Sequence, residues 1–244
     1  MRALLLAAGL GTRLAPLTNT VPKCLVEIEG RPLLDYWLEL LNAAGMKDIL
    51  VNLHYLPQAV RDYLADSPYG ASVKTVYEDR LLGTGGTVLN NKAFFQGGPA
   101  MVVHADNLSL FDPRAFIASF ETRSADAEMT MMTFRTDAPE TCGIVDLDKD
   151  GIVRGFYEKV KNPPGNLANA AVYILAPSVV RFLENLGKPV IDFSTEVLPH
   201  YIGKMNTFEN DIYHRDIGNM TSLTKAREEF PAVMARTKSS LGLR

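Results

Sequence analysis

The chain has 244 residues, 47% of them hydrophobic and 22% charged, long enough to bury the core of one α/β domain. Its 25 Lys and Arg stand against 28 Asp and Glu, a formal net charge of −3 with the basic residues dispersed. That balance argues against a nucleic-acid surface and for a small anion met by a few placed cations.

The opening stretch MRALLLAAGL resembles an export signal, but its apolar run of about eight residues meets a glycine turn and Arg13. No run reaches the roughly 18 apolar residues of a membrane span. Cys24 and Cys142 are far apart and lack metal-ligand spacing, which predicts free thiols in a reducing compartment. A cytoplasmic chain without membrane contact is the expectation.

Residues 2–7 read as a strand buried on both faces, because the apolar run does not alternate. Residues 31–44 read as an amphipathic helix with Arg31 at its solvated start, Pro32 in its first turn, and Leu33, Leu34, Trp37, Leu38 and Leu41 on one face. A strand over 48–53, a helix over 57–66 and a strand over 71–78 follow. Residues 100–106 form a short apolar strand ending on Asp106. This alternation predicts βαβ units on a parallel sheet.

The pattern changes after residue 127. Residues 128–134 read as a strand, and 142–159 as a hairpin turning at Asp148 to Gly151. Another strand covers 169–175 and a helix 177–186, and Asn219 or Thr221 caps a further helix. The expected fold is α/β and Rossmann-like, its sheet mostly parallel, then mixed, with flanking helices. One domain over 1–230 is expected, divided near residue 127, with a second portion over 128–220. The polar, basic stretch 231–244 reads as a loose terminus or a small packing arm.

The segment LLLAAGLGTRLAPLTNTVPKCLVEI, residues 4–28, carries the most chemistry. Glycine tolerates positive φ and close approach, so Gly9 and Gly11 can turn N–H groups toward phosphate oxygens as an anion nest. Arg13 adds a planar fork and Lys23 a mobile point charge, an arrangement suited to a nucleoside triphosphate. Leu14 occupies the third small position of a dinucleotide fingerprint, and no Lys follows the last glycine as a P-loop requires. A tight structural turn remains the alternative for the glycines alone.

Ligands of open α/β sheets sit beyond the carboxyl ends of strands. Asp106 and Asp216 occupy such places, where a carboxylate serves either as a Mg²⁺ ligand or as a turn former and cap. His104 and His214 lie nearby without the spacing of a zinc pair. The run LLGTGGTV, residues 81–88, is either a flexible strand-to-helix loop or a backbone surface for a base and ribose. Glu158 and Lys159 end the hairpin and, on a strand, point to opposite faces, which disfavours a simple solvated pair. An exposed edge strand is the plain alternative. Gly143 could admit a hydroxyl to the backbone, and Asn169 could offer a donor and an acceptor to a ring. Thr195 and Glu196 read as a capped helix start.

LAAGLGTRLAPLT followed by PKCLVEI resembles the signature of the sugar-1-phosphate nucleotidyltransferases, the nucleotide-sugar pyrophosphorylases. LGTGG, the FYEK hairpin end, CGIV, NAAVYIL and Asp-Ile-Gly are similar to further segments of that family, in order from residue 3 to about 223. The resemblance implies a nucleotide-binding portion over about 1–127 and a sugar-phosphate-binding portion over about 128–220. It implies nucleotide contacts from Ala7, Ala8, Gly9, Gly11, Thr12, Arg13, Gly83, Thr84, Gly85, Gly86 and Asp106. Sugar-phosphate contacts would come from Gly143, Glu158, Lys159, Asn169 and Thr195, Mg²⁺ ligation from Asp106 and Asp216, and catalysis from Arg13, Lys23 and Lys159.

The resemblance further implies that an NTP and a sugar 1-phosphate yield an NDP-sugar and pyrophosphate. No Gln stands between Arg80 and Gln96, which favours GTP with mannose 1-phosphate or a heptose 1-phosphate over uridylyl or thymidylyl transfer. Two departures bear on the pocket: His104 stands where relatives usually have Gly, and Val160 replaces a Pro. Cytidylyltransferases acting on alcohol phosphates share the opening motif. A non-catalytic, sugar-nucleotide-binding regulatory subunit is the rival from another class, although Arg13, Lys23, Asp106, Lys159 and Asp216 are all present. Self-association into a homo-oligomer is left open.

Overall fold

The computed structural model describes residues 1–243. In chain order its elements are β1 (Arg2–Leu6), β2 (Glu27–Ile28), β3 (Arg31–Pro32), α1 (Leu33–Ala43), β4 (Ile49–Leu53), α2 (Pro57–Asp66), β5 (Val73–Tyr77) and α3 (Gly83–Asn90). There follow β6 (Ala100–His104), β7 (Asn107–Leu110), α4 (Pro113–Glu121), β8 (Met129–Arg135), β9 (Gly143–Leu147), β10 (Val153–Glu158) and β11 (Leu167–Leu175). The last are α5 (Pro177–Asn185), α6 (Phe193–Glu196), β12 (Met205–Glu209), β13 (Tyr213–Asp216) and α7 (Met220–Thr237).

The chain divides into two units, and the division does not follow a single cut near residue 127. An N-terminal unit takes residues 2–81, 103–113 and 212–243, and a middle unit takes Met1, 82–102 and 114–211. Long-range pairing explains the return of the C-terminal segment, because β13 joins β7 in antiparallel register.

In the N-terminal unit β1, β4 and β5 run parallel, with Leu5 beside Val51 and Val51 beside Thr75. The fully buried Leu4 and Leu5 justify the two-sided burial expected of β1. Helix α1 buries Leu33, Leu34, Trp37, Leu38 and Leu41 as its periodicity predicts. Trp37 donates its indole N–H to the Asn107 carbonyl at 2.8 Å, and Tyr36 donates its hydroxyl to the Ile28 carbonyl at 2.8 Å.

One expectation for this unit is corrected and another is narrowed. Arg31 is no solvated helix start: it lies in β3, half-buried, and its guanidinium donates to Asp35 at 2.6 Å and to Glu39 at 2.9 Å. Of the two readings of the stretch from Pro231, its first part follows the packing arm, since α7 runs on through Pro231 to Thr237 and Leu243 is buried. Proline there removes one amide donor from the helix ladder and crowds the carbonyl four residues earlier. Asn219 and Ser222 form the reciprocal cap that starts α7.

The middle unit is a mixed sheet around β11. β11 pairs antiparallel with β8 and with β9, β10 closes the expected hairpin onto β9, and β12 lies parallel to β8. The sheet curls until Ile152 bridges Asn206 and Gly203 donates its N–H to the Val153 carbonyl at 2.8 Å. Between Asn169 and Tyr173 the register of β11 against β8 shifts, and Ala171 takes φ of 54°. No helix among the described residues is long and apolar enough to cross a membrane.

Candidate active site

At the carboxyl end of β1 the chain leaves the sheet and turns. Gly11 has φ of 66°, and a Cβ there would stand 3.0 Å from Thr18 Cγ2 and 3.1 Å from Lys23 Cβ. The positive φ therefore favours glycine, and the space is tight enough that a Cβ would make its neighbours give by a few tenths of an ångström. Thr18 donates its hydroxyl to the Gly11 carbonyl at 2.8 Å, so the loop is tied to the next turn. Gly9 and Thr12 are exposed. Ala7 and Ala8 are buried, and the Ala7 N–H donates to Asn52 Oδ1 at 2.8 Å. Those two residues shape the base of the loop.

The loop borders a cavity of about 330 Å³ lined by Gly9, Leu10, Gly11, Thr12, Arg13, Leu14, Lys23, Leu81, Asp106 and Gly218. Lys23 is its buried cation. Lys23 Nζ lies 2.7 Å from Asp106 Oδ2 and 3.7 Å from Asp216 Oδ1. Topology explains how carboxylates 110 positions apart in the numbering reach one ammonium: β13 pairs with β7 so that Asp216 stands opposite Asn107, the neighbour of Asp106.

Burial would push the Asp106 carboxyl up, but the Lys23 charge, His104 and the Lys23 hydrogen bond together outweigh it and hold the group below its usual range. Asp106 is therefore a resident carboxylate. The His214 imidazole is driven down to about 3 by burial first and then by Arg215 and His104, so it remains neutral. Burial pushes the Cys24 thiol up to about 12, helped by Asp106. Both cysteines are free, as expected. Among the described residues no group of three or more His, Cys, Asp or Glu gathers as a metal cage. Two carboxylate oxygens are a donor set that fits Mg²⁺, which keeps waters and shares substrate phosphates.

The remaining candidates fall in the middle unit. Glu158 pairs in register with Gly143, and a Cβ on Gly143 would lie 2.7 Å from Glu158 Oε2. Glycine here leaves the carboxylate its place. Glu158 and Lys159 were expected to diverge, yet Lys159 Nζ lies 3.1 Å from Glu158 Oε1. β10 ends at Glu158, and Lys159 takes φ of 49°, so strand alternation does not apply to it. The Lys159 N–H donates to the Cys142 carbonyl at 3.1 Å.

Asn169 also differs from its reading. Its Oδ1 accepts from the Ala171 N–H at 2.9 Å and its Nδ2 donates to the Tyr173 hydroxyl at 2.6 Å, so the amide staples the bulge of β11. The buried Tyr173 hydroxyl is raised above its usual range, first by burial, against the lowering Asn169 hydrogen bond, with Glu158 and Asp192 adding to the rise. Thr195 donates both its N–H and its hydroxyl to Asp192 Oδ1 at 2.8 Å, the plain helix cap.

Gly83–Gly86 form the first turn of α3 rather than a loop before it. A Cβ on Gly86 would lie 2.3 Å from the Pro189 carbonyl oxygen, and one on Gly85 would lie 2.6 Å from Ile191 Cγ2. The Gly85 N–H donates to the Ile191 carbonyl at 3.0 Å. Packing on 189–191 accounts for these two buried glycines and for the exposed Gly83, whose Cβ would lie 2.6 Å from the Ile191 carbonyl oxygen, while Thr84 is half-buried.

The structure thus gathers Gly9, Gly11, Arg13, Lys23, Asp106 and Asp216 in one unit, and Gly143, Glu158, Lys159 and Asn169 in the other. Sequence reasoning missed Asn52, Tyr173 and Gly218. Only Gly218 carried a signal, through its place two residues after Asp216.

The nucleotidyl transferase family model matches residues 2–232. A mannose-1-phosphate guanyltransferase 2 of Candida glabrata is 32% identical over 226 residues, covering 89% of this chain and 61% of that protein. A probable mannose-1-phosphate guanylyltransferase 1 of Oryza sativa subsp. japonica is 31% identical, covering 99% and 70%. The chain spans about three fifths of the length of the Candida relative. Among solved structures, HddC from Yersinia pseudotuberculosis matches with a TM-score of 0.79 and 29% identity, covering 94% of this chain and 99% of that one. That protein has also been solved complexed with GMP-PN. A putative glucose-1-phosphate thymidylyltransferase from Bacillus anthracis shares the fold, with a TM-score of 0.84 at 20% identity, covering 93% and 94%.

Proposed function

The chain belongs to the nucleotidyl transferase family, and from that premise we propose that it is a sugar-1-phosphate nucleotidyltransferase, with GTP and a manno-configured sugar 1-phosphate, mannose or heptose, as its substrates. The observation that carries this reading is the cluster of Lys23, Asp106 and Asp216 beside the Gly9 to Arg13 turn. A glycine turn supplies N–H donors, Arg13 a fork for the departing pyrophosphate, and Lys23 charge for the α-phosphate. Asp106 and Asp216 would hold Mg²⁺, which when bound neutralises phosphate charge.

No residue has to act as a covalent nucleophile. An oxygen of the sugar phosphate attacks the α-phosphorus, the bond from that phosphorus to the β-bridging oxygen breaks, and pyrophosphate leaves with the electron pair. This chain's part is to position and to neutralise. We assign Lys159 to the attacking phosphate and Glu158 to ring hydroxyls. Guanine is favoured by the Gln-free 81–88 segment and by the guanyltransferase names of the relatives.

Release of pyrophosphate, measured with five NTPs against a panel of sugar 1-phosphates, tests the reading. GTP should exceed UTP and dTTP by at least about tenfold in kcat/KM, a difference of roughly 1.4 kcal/mol. Equal turnover with UTP or dTTP would defeat the base assignment. No pyrophosphate from any pair would defeat the activity and favour a non-catalytic binding subunit.

A further inference from the structure

Gly218 lies buried just before the cap of α7, and its φ is outside the left-handed region that favours glycine. Backbone conformation does not explain it. Space does: a Cβ on Gly218 would stand 2.8 Å from Asp216 Oδ2, 3.2 Å from one terminal nitrogen of Arg13 and 3.3 Å from the other. The missing side chain is thus the room into which one carboxylate and one guanidinium, from opposite ends of the chain, both reach. Gly218 also lines the cavity that holds Arg13, Lys23 and Asp106.

We propose that Gly218 is a positioning residue: by presenting no side chain it leaves room for Asp216 beside the Arg13 and Lys23 that line the cavity, so that a divalent cation and the pyrophosphate part of a triphosphate are bound together. The inference rests on the reading of this cavity as a metal and triphosphate site. A methyl group there must displace the Asp216 carboxylate, the Arg13 guanidinium or both. All three of the nearest atoms belong to those two residues. A fixed clamp loses much of its advantage when its charged ends move by about an ångström.

Binding of Mn²⁺ with pyrophosphate, followed by calorimetry without any nucleotide or sugar, reads this effect apart from turnover. Gly218→Ala should weaken pyrophosphate binding in the presence of Mn²⁺ by at least about tenfold while leaving the melting temperature unchanged. The same substitution added to Arg13→Ala/Asp216→Ala should cost less than twofold, because contacts already removed cannot be lost again. Wild-type protein that binds no Mn²⁺ with pyrophosphate would overturn the reading of the cavity itself. Wild-type binding matched by Gly218→Ala would leave that reading standing and overturn the role of Gly218. If Gly218→Ala does not fold, recovery of folding in the Arg13→Ala/Asp216→Ala background supports the close approach, and failure there overturns it.

Discussion

Around Lys23, charged side chains from three distant segments meet at ion-pair distance, whereas around Asn169 polar groups bond to near neighbours in their own strand. The first region is a concentration of charge held by topology: β13 against β7 sets Asp216 beside Asp106. The second is a shape held by backbone irregularity, with Ala171 and Lys159 both at positive φ. Changes in the first region should therefore act on turnover with small effects on folding. Changes in the second should act on stability and on sugar affinity.

The largest expected effect tests the first half of that contrast. Asp106→Asn and Asp216→Asn keep side-chain volume but remove the charge a metal needs, so each should lower kcat/KM by about a thousandfold, roughly 4 kcal/mol of transition-state stabilisation. Thermal melting should change little for the half-exposed Asp216. Wild-type rates at ordinary Mg²⁺ in either variant would reduce that carboxylate to a turn residue.

Lys23→Ala comes next, with an expected loss of about a hundredfold, near 3 kcal/mol. It also carries an effect of opposite sign. The ammonium neutralises Asp106 and Asp216 in this structure, so removing it should tighten Mn²⁺ binding to the protein without nucleotide, as Lys23→Arg should not. Weaker Mn²⁺ binding in Lys23→Ala would mean that the two carboxylates do not act as one donor set.

How far these regions were legible follows from the same contrast. Strand-end carboxylates and loop cations can be picked out one by one in sequence, and Lys23, Asp106 and Asp216 do meet. Arg31 misled, because its partners Asp35 and Glu39 are visible only once α1 turns them toward it. In the middle unit the hairpin at 143–158 was readable from alternation and turn residues. The bulge at 169–173 was not, since the run NAAVYIL gives no glycine to mark a residue at positive φ. The glycines of 83–86 were visible, but their reason, the segment 189–191 lying on α3, is a tertiary contact with no local trace.

Gly86→Ala sharpens the comparison at a smaller scale. Its Cβ would meet the Pro189 carbonyl oxygen at 2.3 Å, a backbone atom that cannot swing aside. Overpacking of this kind costs about 1–3 kcal/mol, which exceeds the gain of about 1 kcal/mol from alanine's better helix propensity. The expected result is a melting temperature lowered by several degrees. A normal melting temperature with a selectively raised nucleotide KM would return Gly86 to the binding surface.

The smallest effect concerns Ala171. At φ of 54° its methyl group sits in the left-handed region, which costs an L-residue about 1–2 kcal/mol relative to glycine. Glycine loses more freedom on folding, a penalty of about 0.4–1 kcal/mol, so the two terms oppose each other. The steric term is the larger, and Ala171→Gly should stabilise the protein by about 0.5–1 kcal/mol, raising the melting temperature by roughly 1–4 °C for a chain of this size. Sugar 1-phosphate KM should stay within about twofold, because the Asn169 amide still accepts from residue 171 and donates to Tyr173. Asn169→Ala is the matched opposite: it removes both bonds, so it should lower the melting temperature and raise that KM together. A lower melting temperature in Ala171→Gly would show that the strand gains more from the alanine methyl than the bulge loses to its backbone strain.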